Sequence, residues 1–273
     1  MTATAGTAPA MSRRSWRDIA DKRPWVLPVA VVLVVAGAWE LAGFLGLLPD
    51  YILRPTTIVG DIVSLLVDGT LHPLVLESLR RALLGFAIGS AVGFVLGLLT
   101  GVSPWFGDIV DGPVAASYPI PKVALFPAIA VILGFDDRTR VIVIALACFY
   151  PVYLNAQSGT RGIERDFVWL GRNNEASWLC QFRSIVVPAA LPKAIVGLRL
   201  SLALSFVMMF ATEVIGFGTG LGSAIFRARL EGDYHLMWAG VVVIGAIGFI
   251  ADQLLRVIGA RLTKGQALEG HRG

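Results

Sequence analysis

The sequence predicts an all-α integral membrane protein with six transmembrane helices. Three observations carry that prediction. The chain of 273 residues is 56% hydrophobic and only 15% charged, with a mean hydropathy of +0.73, whereas soluble domains carry roughly 25% charged residues. Six apolar stretches approach the ~20 residues that a membrane-crossing helix needs. The lysines and arginines then divide unevenly between the segments that join those stretches.

The first stretch, Trp25–Leu48, follows a small, polar and then basic leader holding Arg13, Arg14, Arg17, Lys22 and Arg23. A cleaved signal peptide has an apolar core of only about 7–15 residues before a small-residue cleavage site. We therefore read a retained first span behind a disordered cytoplasmic tail, residues 1–24. The second stretch, Ala82–Gly101, carries Gly85, Gly89, Gly93, Gly97 and Gly101. Glycine at every fourth position makes a smooth stripe along one helix face, against which another backbone can pack closely. Packing within the chain and a seam between two copies are both open.

The third stretch, Pro113–Phe135, contains a Pro119-x-Pro121 break followed by Lys122. The fourth, Val141–Gln157, is the shortest, and its Asn155 is expected to bond between helices. A long polar stretch, Arg161–Lys193, follows, with Pro188 and Pro192 at its exit. The fifth span, Ala194–Phe217, contains Arg199 and Glu213 and runs into the glycine string 216–222. In the sixth, Leu236–Ile258, Asp252 stands one helical turn before Arg256, the spacing of an i,i+4 ion pair. Residues 25–262 thus make one membrane domain, with 263–273 as a C-terminal tail.

With the N-terminus inside, cytoplasmic segments hold 14 Lys and Arg against 7 outside, leaving Lys122 and Arg199 in or at the edge of spans. The excess of positive charge marks the cytoplasmic side, so both termini and the stretch Arg161–Lys193 are expected there. The net charge of +4 is accounted for by basic residues beside membrane ends, where they fix topology and meet anionic lipid. It calls for no nucleic-acid partner.

Ionisable groups inside a membrane cost roughly 2.5–3.5 kcal/mol at a helix centre on the insertion scale, so they need partners or a cavity. Two roles are open to Lys122: snorkelling to lipid headgroups, or lining a passage for an anionic solute. Glu213 has three: pairing with Arg199, pairing with an outer arginine, or capping loop amides beside a gate. The glycine string follows a membrane helix and no strand, which excludes a nucleotide-binding loop. A tight re-entrant turn whose backbone lines a cavity explains it better. Lys122, Asn155, Glu213, Gly220 and Gly222 are accordingly the candidates for a translocation path.

No phosphate-binding Walker loop, His-Glu-x-x-His pair or Gly-x-Ser-x-Gly elbow is present, and His72, His235 and His271 are scattered. Cys148, in an apolar run, and Cys180, in the polar stretch, form neither a disulfide framework nor a metal site, and both read as packing residues. No catalytic residue and no metal ligand is expected, and a membrane enzyme is poorly supported.

Local strings add specificity. They are Trp39-Glu40-Leu41, Leu48-Pro49 and Arg54-Pro55; Ser78-Leu-Arg-Arg81 with Gly85-Phe86 and Gly89; Tyr118-Pro-Ile-Pro-Lys-Val-Ala-Leu-Phe-Pro127; and Phe149-Tyr-Pro151 with Asn155 and Gly159. After the polar stretch come Val187-Pro-Ala-Ala-Leu-Pro192, Gly197-Leu-Arg199, Glu213 with Gly216, and Gly220-Leu-Gly222. In order and spacing these strings, over about residues 39–262, resemble the permease subunits of ABC importers for nitrate, sulfonates and taurine.

The resemblance implies a type I importer fold of six transmembrane helices in the bacterial cell membrane. It implies a pair of permease subunits, a homodimer here, that forms the path and performs no chemistry. The partners it implies are a cytoplasmic ABC ATPase dimer, which binds the ATP so that this chain needs no cofactor, and an extracytoplasmic solute-binding protein. The ATPase is expected on the coupling segment, at Arg165, Asp166, Trp169, Leu170, Gly171, Arg172, Glu175, Ala176, Ser177, Phe182 and Arg183, with Pro188 and Pro192 closing it. The family usually carries a Glu-Ala-Ala triplet there and a glycine four residues on. Anchored on Pro188 and Pro192, this chain has Trp169-Leu170-Gly171 in place of the triplet and Glu175 in place of the glycine. Glu164 and Asp166 still put acid near the start of a short helix, where the dipole favours it, and Trp169 with Leu170 offers an apolar anchor for a partner cleft. The rival reading is an ATP-independent channel or ion-coupled carrier, for which no internal repeat is found.

Overall fold

A computed structural model describes residues 26–162 and 177–263, and among them every regular element is helical. The chain divides between Gly60 and Asp61 into two compact units. In the first, α1 (Val26–Phe44) is apolar on every side and has no buried residue. The Glu40 carboxylate at its end accepts hydrogen bonds from the Thr56 amide at 3.0 Å and the Thr56 hydroxyl at 2.8 Å. It thereby sits at the positive end of α2 (Pro55–Val67), whose proline is tolerated at the first helical position. The tryptophan-glutamate and arginine-proline strings are thus parts of one turn.

The second unit is organised on three long helices: α3 (Leu71–Val102), α6 (Asp137–Arg161) and α8 (Val187–Ile215). The glycine stripe of α3 lies against α6 of the same chain, so the intrachain alternative holds. A Cβ added at Gly93 would lie 2.5 Å from the Phe149 carbonyl oxygen, and one at Gly97 2.5 Å from that of Tyr153. On the opposite face of α6, Gly159 meets Ala190 and Gly197 meets the Pro151 carbonyl of the facing helix. Ser201 donates to the Cys148 carbonyl at 2.6 Å, and the Cys148 thiol returns a bond to the Ser201 carbonyl at 3.3 Å. Phe126, Val143, Ile144, Leu202, Phe206 and Met209 fill the core between these helices.

The third span departs from the expectation. In place of one helix over Pro113–Phe135, α4 (Pro104–Ser117) and a helical segment from Lys122 to Leu133, comprising a 3-10 turn and α5 (Leu125–Leu133), meet at a bend of 78°. Pro119 and Pro121 lack the amide hydrogens that would carry a helix across the break. Among the described residues five helices are long and apolar enough to cross a membrane, six when the bent pair counts as one span.

The polar stretch also departs. α6 runs on to Arg161, and helix resumes at α7 (Trp178–Gln181), continuing through a π-turn (Phe182–Val186) into α8. Pro188 and Pro192 therefore lie inside the opening turns of α8 and not at a loop exit. Proline is tolerated near a helix start, and the wider π-turn ahead of it re-routes the ladder, with the Val187 amide reaching back to the Phe182 carbonyl. After α8 a short turn leads to α9 (Leu221–Glu231) and α10 (Tyr234–Thr263).

Because Gly89 would place a Cβ against the Ala145 backbone, Gly89→Ala is expected to destabilise the protein by about 1–3 kcal/mol. Gly245→Ala, where a Cβ meets nothing within 4 Å, serves as the neutral control. Thermal unfolding of the two detergent-solubilised variants checks this; equal melting temperatures would contradict the seam.

Candidate functional site

Two polar clusters close the bundle at its opposite ends. At the end that the lysine and arginine asymmetry assigns to the outside, Arg81 of α3 and Glu213 of α8 are 2% and 0% exposed, deep enough that each requires compensation in full. Arg81 Nη1 lies 2.7 Å from Glu213 Oε1 and 2.6 Å from the Thr219 carbonyl, while its Nε donates to Asp137 Oδ1 of α6 at 2.8 Å. The Ser78 hydroxyl donates to the Glu213 carboxylate at 2.8 Å and accepts from the Leu221 amide at 2.8 Å. Glu213 Oε2 accepts from the Gly222 amide at 2.8 Å. The carboxylate thus caps the positive N-terminus of α9 and neutralises Arg81. Arg80 and Arg140 complete the ring on Asp137.

Of the roles open to Glu213, the structure realises two at once, an outer arginine and loop amides, and the arginine is Arg81, not Arg199. Gly220 and Gly222 are buried beside the same carboxylate. Gly220 has φ +113°, a conformation that side chains rarely adopt, which lets the turn fold back onto Glu213. Both glycines serve the turn. Sequence reasoning read Arg81 as an outer loop residue and passed over Asp137. Arg81 and Ser78 fall one and two turns before Gly85 on one helix face, so extending the glycine stripe backwards was the signal available.

At the inner end Asp111 of α4 accepts from the Tyr153 hydroxyl, from Gln157 Nε2 at 2.6 Å and from Arg161 at 2.6 Å. Gln157 also reaches Thr100 Oγ1 of α3 at 2.9 Å. Polar side chains of α3, α4 and α6 are therefore joined there, and no local pattern in the sequence announced it. Lys122 is engaged locally. Its Nζ donates to the carbonyls of Ser117, Tyr118 and Ile120 at 2.7, 3.0 and 2.7 Å and lies 4.3 Å from the centre of the Tyr150 ring. It satisfies the carbonyls freed at the proline break.

Other expectations are corrected. Asn155 bonds to the Pro151 carbonyl of its own helix at 2.8 Å, taking up an acceptor within the proline-containing turn. Asp252 ignores Arg256 and forms a two-stranded pair with Arg199 across to α8, at 3.0 and 3.1 Å, while Arg256 bonds Gln253. Cys148 is buried, but Cys180 is exposed, because α7 turns it away from the core.

Of the coupling residues, Arg165, Asp166, Trp169, Leu170, Gly171, Arg172, Glu175 and Ala176 lie outside the described residues. Ser177 caps α7 through the Cys180 amide, and Phe182 stacks on Trp178 with ring centres 5.2 Å apart. Arg183 is exposed on the π-turn. Trp178 and Leu179 are 60% and 67% exposed. Among the described residues no group of three or more His, Cys, Asp or Glu is placed to hold a metal ion.

The fold and its two polar closures define a multi-pass helical membrane protein. A family model described as binding-protein-dependent transport system inner membrane component matches residues 89–264. The chain is 30% identical over 241 residues to SsuC of Bacillus subtilis (strain 168), named for aliphatic sulfonates transport, covering 88% of this chain and 87% of that one. It is 26% identical to the taurine transport system permease TauC of Escherichia coli (strain K12), covering 92% and 93%. The nitrate import permease NrtB of Leptolyngbya laminosa is 25% identical, covering 86% and 87%. The fold matches an inward-facing structure of the MetNI methionine ABC transporter with a TM-score of 0.58 at 18% identity, over 71% of this chain and 95% of that one. The chain belongs to the binding-protein-dependent transport system inner membrane components and is a permease subunit of an ABC importer. Its architecture is the type I importer fold, and membership replaces the carrier reading.

Removing one member of the buried pair leaves the other charge uncompensated. Glu213→Ala is expected to cost about 3–5 kcal/mol, against less than about 1 kcal/mol for Arg80→Ala on the exposed rim. Comparable unfolding midpoints for the two variants would show that the outer cluster contributes little.

Proposed function

We propose that two copies of this chain enclose the path of a small anionic solute of the sulfonate, taurine or nitrate class, driven by a separate cytoplasmic ATPase dimer. The observation that carries the coupling is the 38-residue helical run Trp178–Ile215. At 1.5 Å per residue it is about 55 Å long, more than the ~40–45 Å of a whole bilayer. It starts beside the coupling segment and ends in the outer cluster through Glu213. A push on its cytoplasmic end therefore has a rigid route to the outer face.

The anionic class rests on the names of the relatives. Trp169 and Leu170, extended by exposed Trp178 and Leu179, supply the apolar anchors for the ATPase. That partner binds the ATP, so the permease itself holds no cofactor and catalyses nothing. An extracytoplasmic binding protein delivers the solute. Both termini lie in the cytoplasm of a bacterial cell whose membrane lipid surrounds the helices. The cycle moves only because ATPase closure bonds the coupling segment differently in the two states.

The test is a gentle-detergent pull-down of the tagged chain from its host, with uptake measured alongside. A P-loop ATPase is expected at about one per permease subunit, since two ATPases meet two coupling segments. Trp169→Ala with Leu170→Ala is expected to lose both ATPase and uptake while membrane insertion stays normal. A chain recovered alone that moves solute in liposomes without ATP would sink the proposal.

A further inference from the structure

The strongest intramembrane charges are tied into networks, but the Arg199–Asp252 pair is not. Arg81, Glu213 and Lys122 are each held by three or more groups. Arg199 and Asp252 meet instead in one two-stranded contact, Nε to Oδ1 at 3.0 Å and Nη2 to Oδ2 at 3.1 Å. A guanidinium has five N–H donors, so the remaining edge of the fork is unengaged among the described residues. The Arg199 and Asp252 side chains are 43% and 35% exposed.

The pair also lies deep. Arg199 stands near the middle of the 29-residue α8, and Asp252 within about a turn of the middle of the 30-residue α10. Val196 and Leu200, both 53% exposed, flank it on α8. One turn outward the residues are the small Ala203 on α8 and Gly248 on α10, with the Phe206 ring of α8 lying against Gly248. Hydrocarbon cannot satisfy the open donors, and charges at this depth face a bundle interior or a water-filled cavity.

We propose that Arg199 is a solute-contacting residue of the translocation path, presenting its open edge to the oxyanion of a sulfonate or nitrate. The planar fork matches such oxygens two at a time. Asp252 is the positioning residue: it holds the guanidinium in place and offsets its charge, so that the anion is bound weakly enough to leave, as passage requires. This rests on the anionic-solute reading above.

The test uses the whole complex, permease with ATPase and binding protein, in proteoliposomes, with nitrate, taurine and methanesulfonate as probes. Arg199→Gln is expected to lower uptake of whichever anion the wild type imports by roughly tenfold or more, with ATPase copurification and dimer mass unchanged. Arg199→Lys, which keeps the charge and loses the fork, should fall between. Asp252→Asn should retain uptake within about fivefold, the worth of a weak ion pair.

A purely structural pin predicts something else: equal losses in Arg199→Gln and Asp252→Asn, with recovery when the charges are swapped in Arg199→Asp/Asp252→Arg. That pattern, or dissociation of the dimer in Arg199→Gln, would overturn the assignment. Unchanged anion uptake in Arg199→Gln would overturn it alone. A wild-type complex that imports none of the three anions would overturn the anionic reading itself.

Discussion

The close approach of α3 and α6 is the constraint on which the rest of the second unit depends. Of five glycines one turn apart, Gly89, Gly93 and Gly97 have carbonyl oxygens of α6 where a Cβ would stand, and Gly85 and Gly101 have the Ile144 and Thr160 side chains there. In lipid there is no hydrophobic force to drive helices together, so contact area and polar bonds must do it. The glycine seam supplies the first. It also fixes the register of α3 on α6, and that register brings Arg81 to Asp137 at one end and Thr100 to Gln157 at the other. A side chain anywhere along the seam would separate both ends.

The outer and inner clusters then act as closures of unlike character. The outer one centres on a buried ion pair, Arg81 with Glu213, whose partners are drawn from α3, α6, α8, the following turn and α9. Such a pair adds little net stability over an apolar equivalent but penalises the loss of either member heavily. It therefore sets which helices belong together more than how tightly they are held. The inner one gathers neutral groups and a single arginine on Asp111 of the bent segment. Joining α4 there anchors the proline-broken span by its first arm, while Lys122 satisfies the carbonyls of the break itself.

Between these closures α8 is the common element. Its N-terminal end is continuous with the π-turn and α7, and its C-terminal end delivers Glu213. Close contacts at Gly197 and Ala190 hold its inner half on α6. On another face Val196, Leu200 and Val207 stay more than half exposed, and Arg199 between the first two reaches Asp252 of α10. A helix clamped along one side and exposed along another is suited to shift against a neighbour without dismantling its own bundle.

Much of this was legible in the residues. Hydropathy, the four-residue glycine spacing and the uneven arginines are local or additive properties, and they determined the helical membrane class, the approximate spans and the small-residue face, while the ordered local strings carried the resemblance to the family. The proline break was visible too, though not its 78° angle, which depends on how α5 packs through Phe126 and Ala130 into the core. What only the tertiary structure decided was partnership. Glu213 takes Arg81, 132 positions away, in preference to Arg199, and Asp252 takes Arg199 in preference to Arg256 one turn along. A periodicity states which face of a helix a charge lies on. Which opposite charge it meets depends on the register and rotation of helices distant in the chain, and those are set by packing that no local pattern contains.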